Sequence, residues 1–356
     1  MGFKPIQIGK QYTMPYSQLQ NQLESLLSAQ PLEIVNKKGG GNSVVYCVVS
    51  KDQKWAVKSY PPHVSGQRDR LAAERAVYQF LNQHQIAAVP HLKTVSESDR
   101  LLVMDWIEGD IPADYQVEDV EQCIQFIRSI HQLNSLPKAL ALPLAAEACL
   151  SLNILVAQVQ QRLKRLQDLP EKDADLTRFL ETEFIPTFDQ YTQQARNGFL
   201  ANKLDPEAAL PQSKRSLIPA DFGFHNSIRD VNGKLYFFDF DYFGWDDPVK
   251  LLADILWHPK MHLTASQKQQ FIDGLADVYH TDKAFLTRFY YTWPLFGLRW
   301  TLILLNEFIP TLWQNRQHAD TYKNLAQTQH EVQQMQLKRA QTLLQMVRAV
   351  ECPYEA

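Results

Sequence analysis

The sequence predicts an α+β fold in two lobes, an N-terminal antiparallel sheet with one packed helix and a mainly helical C-terminal part. Three observations predict it. Residues 32–104 hold short runs of β-branched and aromatic residues separated by glycine-rich or polar turns. Beyond residue 107 the apolar residues recur at helical spacing, and residues 107–113, IEGDIPA, have the Gly and Pro of a connector. The domain boundary is expected there, giving residues 1–107 and 108–356.

Composition suits two such bodies. A chain of 356 residues is long enough to bury two cores, and 45% hydrophobic with 21% charged residues is ordinary for a soluble globular protein. The net charge of -3 offers no basic excess, so neither nucleic acid nor an anionic membrane is an expected partner. Cys47, Cys123, Cys149 and Cys352 form no CxxC pair, which fits reduced thiols in a cytoplasmic protein. The opening MGFKPIQIGK lacks an apolar core of signal-peptide length, and Ile6 stands where a myristoylation motif needs Ser or Thr. No export signal or lipid anchor is expected. Residues 292–308 are strongly apolar, but Pro294, Arg299, Asn306 and Glu307 interrupt them short of the roughly 18 residues a membrane span needs. They predict a buried helix.

Taken in order, residues 17–28 predict a helix. Residues 32–60, LEIVNKKGGGNSVVYCVVSKDQKWAVKSY, predict strand, Gly-rich turn, strand, polar turn and strand. Residues 65–84 place Leu71, Val77, Tyr78 and Leu81 at helical spacing, an amphipathic helix. Residues 92–95 and 100–104 add two strands to the same sheet. Helices are then expected at 117–134, 144–166, 175–196, 248–257, 266–280, 283–308 and 319–350. The last is rich in Gln and lacks a sustained heptad, so it predicts a packed terminal helix and not a coiled coil.

Residues 217–248, LIPADFGFHNSIRDVNGKLYFFDFDYFGWDDP, carry the chemistry. Asp221, Asn226 and Asp239 stand among apolar and aromatic neighbours: a loop from 221 to 226, a DVNG turn, and an apolar strand over 235–240. An unpaired buried charge is costly, so Asp239 must meet a cation, donors or water, and a metal-bound phosphate would satisfy it. Upstream come a glycine cluster, Lys58 in the strand AVK and Glu74 in the next helix. Glycine turn, strand Lys, helix Glu, loop Asp and Asn, then a strand Asp is the order of parts in kinase-type phosphoryl transfer. Singly, each has a plainer alternative: a hairpin turn, a snorkelling lysine, a solvated glutamate, Asx turns, or a capping carboxylate.

PADFGFHN is similar to the HGDxxxxN loop of the aminoglycoside phosphotransferase and choline kinase family. FFDFDYFGWDDPVKLLADI resembles that family's metal-binding strand and following helix, and GGGNSVVYCV its variant phosphate loop; the resemblance spans residues 32–255. It implies a protein-kinase-like fold that transfers the γ-phosphoryl group of ATP, with Mg²⁺, to a hydroxyl of a small molecule. Amino sugars, sugars, choline-like amines and amino alcohols are the implied acceptors, and GTP in place of ATP stays open. The N-terminal lobe would bind nucleotide and the C-terminal lobe would carry catalysis and acceptor binding.

The same resemblance implies that Asp221 orients the acceptor hydroxyl and that Asn226 and Asp239 hold Mg²⁺, a hard cation that takes oxygen ligands. It implies that Gly39, Gly40, Gly41, Asn42 and Ser43 cradle phosphates, that Lys58 contacts them and pairs with Glu74, and that Met104, Asp105, Trp106 and Ile107 receive the adenine. Acceptor candidates are Asp241, Tyr242, Trp245, Trp300 and Glu307, with Asp246, Trp257, Trp293, Arg299 and Asn306 as further ones. Aromatics with carboxylates suit a cationic ligand, and core packing explains the tryptophans equally well.

The chain departs from the family at one informative place. Pro219-Ala220 replace His-Gly, so a hydrogen-bonding residue that steadies the loop is missing, and His225 is the nearby candidate to compensate. That departure keeps open a catalytically weak, kinase-like nucleotide-binding scaffold. A protein kinase is less favoured, because no activation segment with an APE motif follows Asp239. Asp221-Phe222-Gly223 does spell the protein-kinase metal motif, but chain order assigns it to the catalytic loop. No motif bears on oligomeric state.

Overall fold

The computed structural model describes residues 16–29, 31–39, 43–51, 53–66, 68–313, 328–349 and 352–353. They fall into two compact units. One holds the described residues up to Leu71 together with Leu92–Trp106; the other holds Ala72–His91, Ile107–Trp313 and the described residues from 328 onward.

The first unit contains α1 (Tyr16–Leu27) and a five-stranded antiparallel sheet. Its strands are β1 (Glu33–Gly39), β2 (Val44–Ser50), β3 (Gln53–Ser59), β4 (Leu92–Ser96) and β5 (Leu101–Asp105), in the order β1-β2-β3-β5-β4. Period-two alternation sends Tyr46, Val48, Trp55, Val57, Leu101 and Val103 into one core, where Leu19 and Leu23 of α1 and Leu32 join them. Lys58 follows Val57, on the other face of the sheet.

The second unit contains α2 (Arg70–Gln83) from Ala72 onward, α3 (Val117–Gln132), α4 (Leu152–Gln167), α5 (Ala174–Phe179) and α6 (Ile185–Ala201), the last two joined by a π turn at Leu180–Phe184. It continues with β6 (Ser216–Ile218), β7 (Ser227–Arg229), β8 (Leu235–Phe237), β9 (Gly244–Asp246), α7 (Pro248–Trp257), α8 (Ala265–Val278), α9 (Phe285–Ile303) and α10 (Gln329–Ala349). β6 pairs with β9, and β7 with β8. Helix α9 is mostly apolar, with Arg288 and Arg299 within it, and α4, α6, α7 and α10 pack on it. Trp257 of α7 stacks on Trp293 of α9 with ring centroids 4.2 Å apart. No described helix is long and apolar enough to cross a membrane.

Several element boundaries differ from expectation, each for a local reason. α2 starts at Arg70 and not at residue 65, because Pro61, Pro62 and Gly66, with φ of 84°, hold the preceding segment out of a helix. α4 starts at Leu152 and not at residue 144. Ser151 caps it by accepting from the Ile154 N–H at 3.2 Å, while Ala145 and Ala146 donate to Trp245 O and Tyr242 O, both at 3.0 Å. β8 stops at Phe237, three residues early, since Phe238 N–H donates to Asn226 O and Asp239 turns the chain with φ of 69°. Of the expected terminal helix over 319–350, residues 319–327 and 350 lie outside the described residues.

Two clamps hold the β7–β8 hairpin. Arg229 reaches the buried Asp119 carboxylate of α3 with Nε at 3.1 Å and Nη2 at 2.5 Å. Its backbone also exchanges hydrogen bonds with Asp110, at 2.8 and 3.2 Å. That close pairing needs Gly109, whose φ is 148° and where a Cβ would collide with the Arg229 carbonyl. Gly109→Ala combines a left-handed penalty with overpacking, so it should lower unfolding free energy by roughly 2–4 kcal/mol. Urea denaturation measures this, and an unchanged midpoint would count against the clamp.

Candidate active site

β6 carries the chain out of the core into the loop 219–226. Two aromatics anchor that loop from below: Phe222 stacks against Phe126 and packs on Phe237, and Phe224 lies 4.0 Å from the Tyr115 ring, centroid to centroid. Phe222 and Phe224 are buried, and alternation leaves Asp221 toward the surface, its side chain 40% exposed. Phe224 N–H donates to Met261 Sδ at 3.3 Å. Ala220 and Asp221 stand at φ of 35° and 48°, in the left-handed region where the family's Gly is at ease and Ala is not.

Asn226 closes the loop on itself. Its backbone N–H donates to Gly223 O at 3.0 Å and its Nδ2 to Asp221 O at 2.9 Å. Its own carbonyl accepts from Phe238 N–H at 3.1 Å, which brings Asn226 beside the segment that carries Asp239. One residue further, Phe240 N–H donates at 3.2 Å to Oε1 of Glu74, which is wholly buried on α2. Asp221, Asn226, Asp239 and Glu74 therefore belong to one connected piece of the second unit.

Beside Asp221 stand two histidines. His225 Nε2 is 3.5 Å and His258 Nε2 3.6 Å from Asp221 Oδ1, and the rings stack at 4.0 Å and 9°. Burial works to raise the Asp221 carboxyl, but the two imidazoles outweigh it and hold the group below the ordinary carboxylate range. Burial lowers the His258 imidazole, against the raising pull of Asp221. Asp221 is thus an anion and His258 a neutral ring near neutral pH.

A charged network continues from there. Trp300 sets its ring edge-on to His258 at 4.6 Å and donates Nε1–H to Asp254 Oδ1 at 2.9 Å. Arg299 binds Asp254 at 3.1 Å and Glu147 at 2.7 Å, and Arg162 meets Glu147 from the other side at 2.5 Å. Lys250 lies 3.3 Å from Asp254 and 3.6 Å from Asp246.

In the first unit Lys58 is buried on β3, paired in register with Leu102 of β5, its Nζ 5.3 Å from the Tyr60 ring centroid. Gly39 ends β1, Ser43 precedes β2, and Gly40, Gly41 and Asn42 lie outside the described residues. Met104 and Asp105 end β5, with Lys93 2.9 Å from Asp105, and Trp106 N–H donates to Lys54 O at 3.4 Å. Ile107 opens the connector in the second unit.

Of the acceptor candidates, Asp241, Trp245 and Glu307 are buried. Trp245 donates Nε1–H to Ala139 O at 2.9 Å, and Glu307 accepts from Gln336 at 3.4 Å. Tyr242 and Trp300 are half-buried, and Trp300 adjoins the histidine pair. His258, Glu147 and Asp254 were not legible from sequence.

Glu147 gives this region a pH signature. Burial alone would raise its pKa, but the Arg299 and Arg162 guanidiniums prevail and hold it at about 2. A depressed carboxyl stabilises the fold above its unfolded pKa and loses that contribution as pH falls toward the folded value. Between pH about 4.5 and 2 the native protein should therefore lose stability more steeply than Glu147→Gln, as measured by urea midpoints. Parallel slopes would oppose the assignment. The side chain is 49% exposed, so solvent screening keeps the effect modest.

The model of the phosphotransferase enzyme family matches residues 34–289, well over half of the chain. No curated protein matches the sequence. Among solved structures the fold is similar to spectinomycin phosphotransferase in complex with ADP and spectinomycin, at 13% identity and TM-score 0.61, covering 95% of this chain and 100% of that one. It is also similar to a choline/ethanolamine kinase family protein from Mesorhizobium loti (16%, TM-score 0.53, 94% and 99% covered) and to choline kinase LicA from Streptococcus pneumoniae (14%, 0.53, 92% and 98%). The expected kinase-like α+β fold and the expected phosphotransferase enzyme are both met. Because that family model covers well over half of it, the chain belongs to the phosphotransferase enzyme family.

Proposed function

We propose that the protein transfers the γ-phosphoryl group of ATP to a hydroxyl of a small molecule, in the class of amino sugars, sugars, choline-like amines and amino alcohols. The observation that carries this is the Asp221 carboxylate, exposed at the loop surface yet fixed by Asn226 through the backbone and flanked by two imidazoles.

Asp221 is proposed to accept the hydrogen bond of the acceptor hydroxyl. A carboxyl held below its ordinary range is a weak base, so its part is orientation, with the proton taken as the bond to phosphorus forms. Lys58 and the glycine turn are proposed to hold nucleotide phosphates. The donor set suits Mg²⁺: Asn226 commits Nδ2 to Asp221 O, which leaves its amide oxygen as a ligand atom, and Asp239 adds a carboxylate. When bound, Mg²⁺ neutralises phosphate charge.

Asp221→Ala should abolish measurable transfer while nucleotide binding, followed by calorimetry, persists; normal turnover would sink the assignment. Asp239→Ala should instead weaken binding of nucleotide in the presence of Mg²⁺, and superimposable titration curves would contradict its role as a ligand. The reaction itself is tested by ATP consumption with amino sugars, neutral sugars, choline-like amines and amino alcohols. Slow ATP hydrolysis with no acceptor in that screen would favour the scaffold reading.

A further inference from the structure

The loop lacks the histidine that its family places two residues before the catalytic aspartate; Pro219 stands there. We propose that His258, at the end of α7, is the positioning residue that replaces it, presenting its Nε2–H to Asp221 Oδ1. This rests on the proposed role of Asp221.

The ring's tautomer follows from its other nitrogen. Lys260 N–H donates to His258 Nδ1 at 3.1 Å, and a backbone amide always carries its proton, so Nδ1 must offer a lone pair. The proton of the neutral ring is then on Nε2, the atom that faces Asp221. The ring is held on three sides: Lys260 N–H ties Nδ1, the His225 ring covers one face, and the Trp300 ring meets it edge to face, while the His258 backbone N–H caps α7 on Asp254 O at 2.9 Å. Only 9% of the side chain is exposed. At 3.6 Å the contact is longer than a formed hydrogen bond, and such contacts at catalytic groups shorten when substrate fills the site.

Two rivals to this assignment lie within the same cluster. Asp221, His225 and His258 bring one ligand atom each within 4.8 Å of one another, as a transition-metal site would. A metal on His258 Nε2 needs that lone pair, which moves the ring proton to Nδ1 and sets it against the Lys260 N–H. His225 is the second rival, but neither of its ring nitrogens has a hydrogen bond among the described residues that fixes a tautomer. It serves as the stacking wall.

The test has two arms, both on the full chain. In long-range ¹H–¹⁵N imidazole spectra, with His258 assigned by its loss in His258→Gln, the expected form is neutral with the proton on Nε2. A proton on Nδ1, or the spectrum of a metal-bound ring, overturns the proposal. In kinetics, His258→Leu should lower kcat on the order of 10- to 100-fold, with KM for ATP little changed and the thermal midpoint retained. His258→Gln, whose amide can place an N–H near the lost one, should recover most of the rate. Unchanged kcat in His258→Leu, or equal loss in both variants, overturns it. The Nε2–H tautomer in a wild-type protein that transfers phosphate to no acceptor would support the hold on Asp221 and overturn the proposed reaction.

Discussion

An ionised carboxylate at the lip of an aromatic loop is the constraint around which the second unit is built. Phe222 and Phe224 must be buried on either side of Gly223 to anchor the loop, and their burial leaves Asp221 next to low-dielectric surroundings. Burial pushes its pKa up, and the neighbouring His225 and His258 imidazoles outweigh that push. The backbone at Ala220 and Asp221 sits in the left-handed region, which costs L-residues roughly 1–2 kcal/mol each. Strain of that size persists where the surroundings over-determine the geometry, here by aromatic packing below and Asn226 Nδ2 above.

The supports of that loop are themselves held by buried ions. Asp247 caps α7 by accepting from Val249 N–H at 2.9 Å and receives Arg288 at 2.8 and 3.0 Å; Arg288 also meets Asp282 at 2.7 Å. Lys250 and Arg299 converge on Asp254 in the next turns. Pairs of this kind contribute little net free energy compared with apolar packing, because desolvation offsets their attraction. Their effect is geometric. Directional bonds between α7 and α9 allow one register where an apolar seam would tolerate several.

Much of this was legible in the sequence because it is local. The five-stranded sheet follows from alternation in residues 32–104, α7 from Asp247-Pro248 and the apolar run after it, and the loop from the spacing of Asp221, Asn226 and Asp239. What escaped depends on long-range contact. His258 lies 37 residues beyond Asp221 with a helix between, and nothing in its neighbours marks which way its ring faces. Glu147 lay in residues expected to be helical, whereas the bonds from Ala145 and Ala146 to residues near β9 pull that segment out of the helix. The acceptor-candidate tryptophans are ambiguous because packing and ligand contact use the same side chain; of them Trp300 keeps a partly open face, while Trp245, Trp257 and Trp293 are buried.

Helix α7 joins two of these features. It runs ten residues, about 15 Å, from the Asp247–Arg288 lock at one end to His258 at the other. A short rod fixed at its far end acts as a gauge block, setting the aspartate's spacing by its length. Stiffness and rate then share one part. On the proposed role of His258, substitutions at Arg288 or Asp282 chosen for heat tolerance would also shift the ring that faces Asp221.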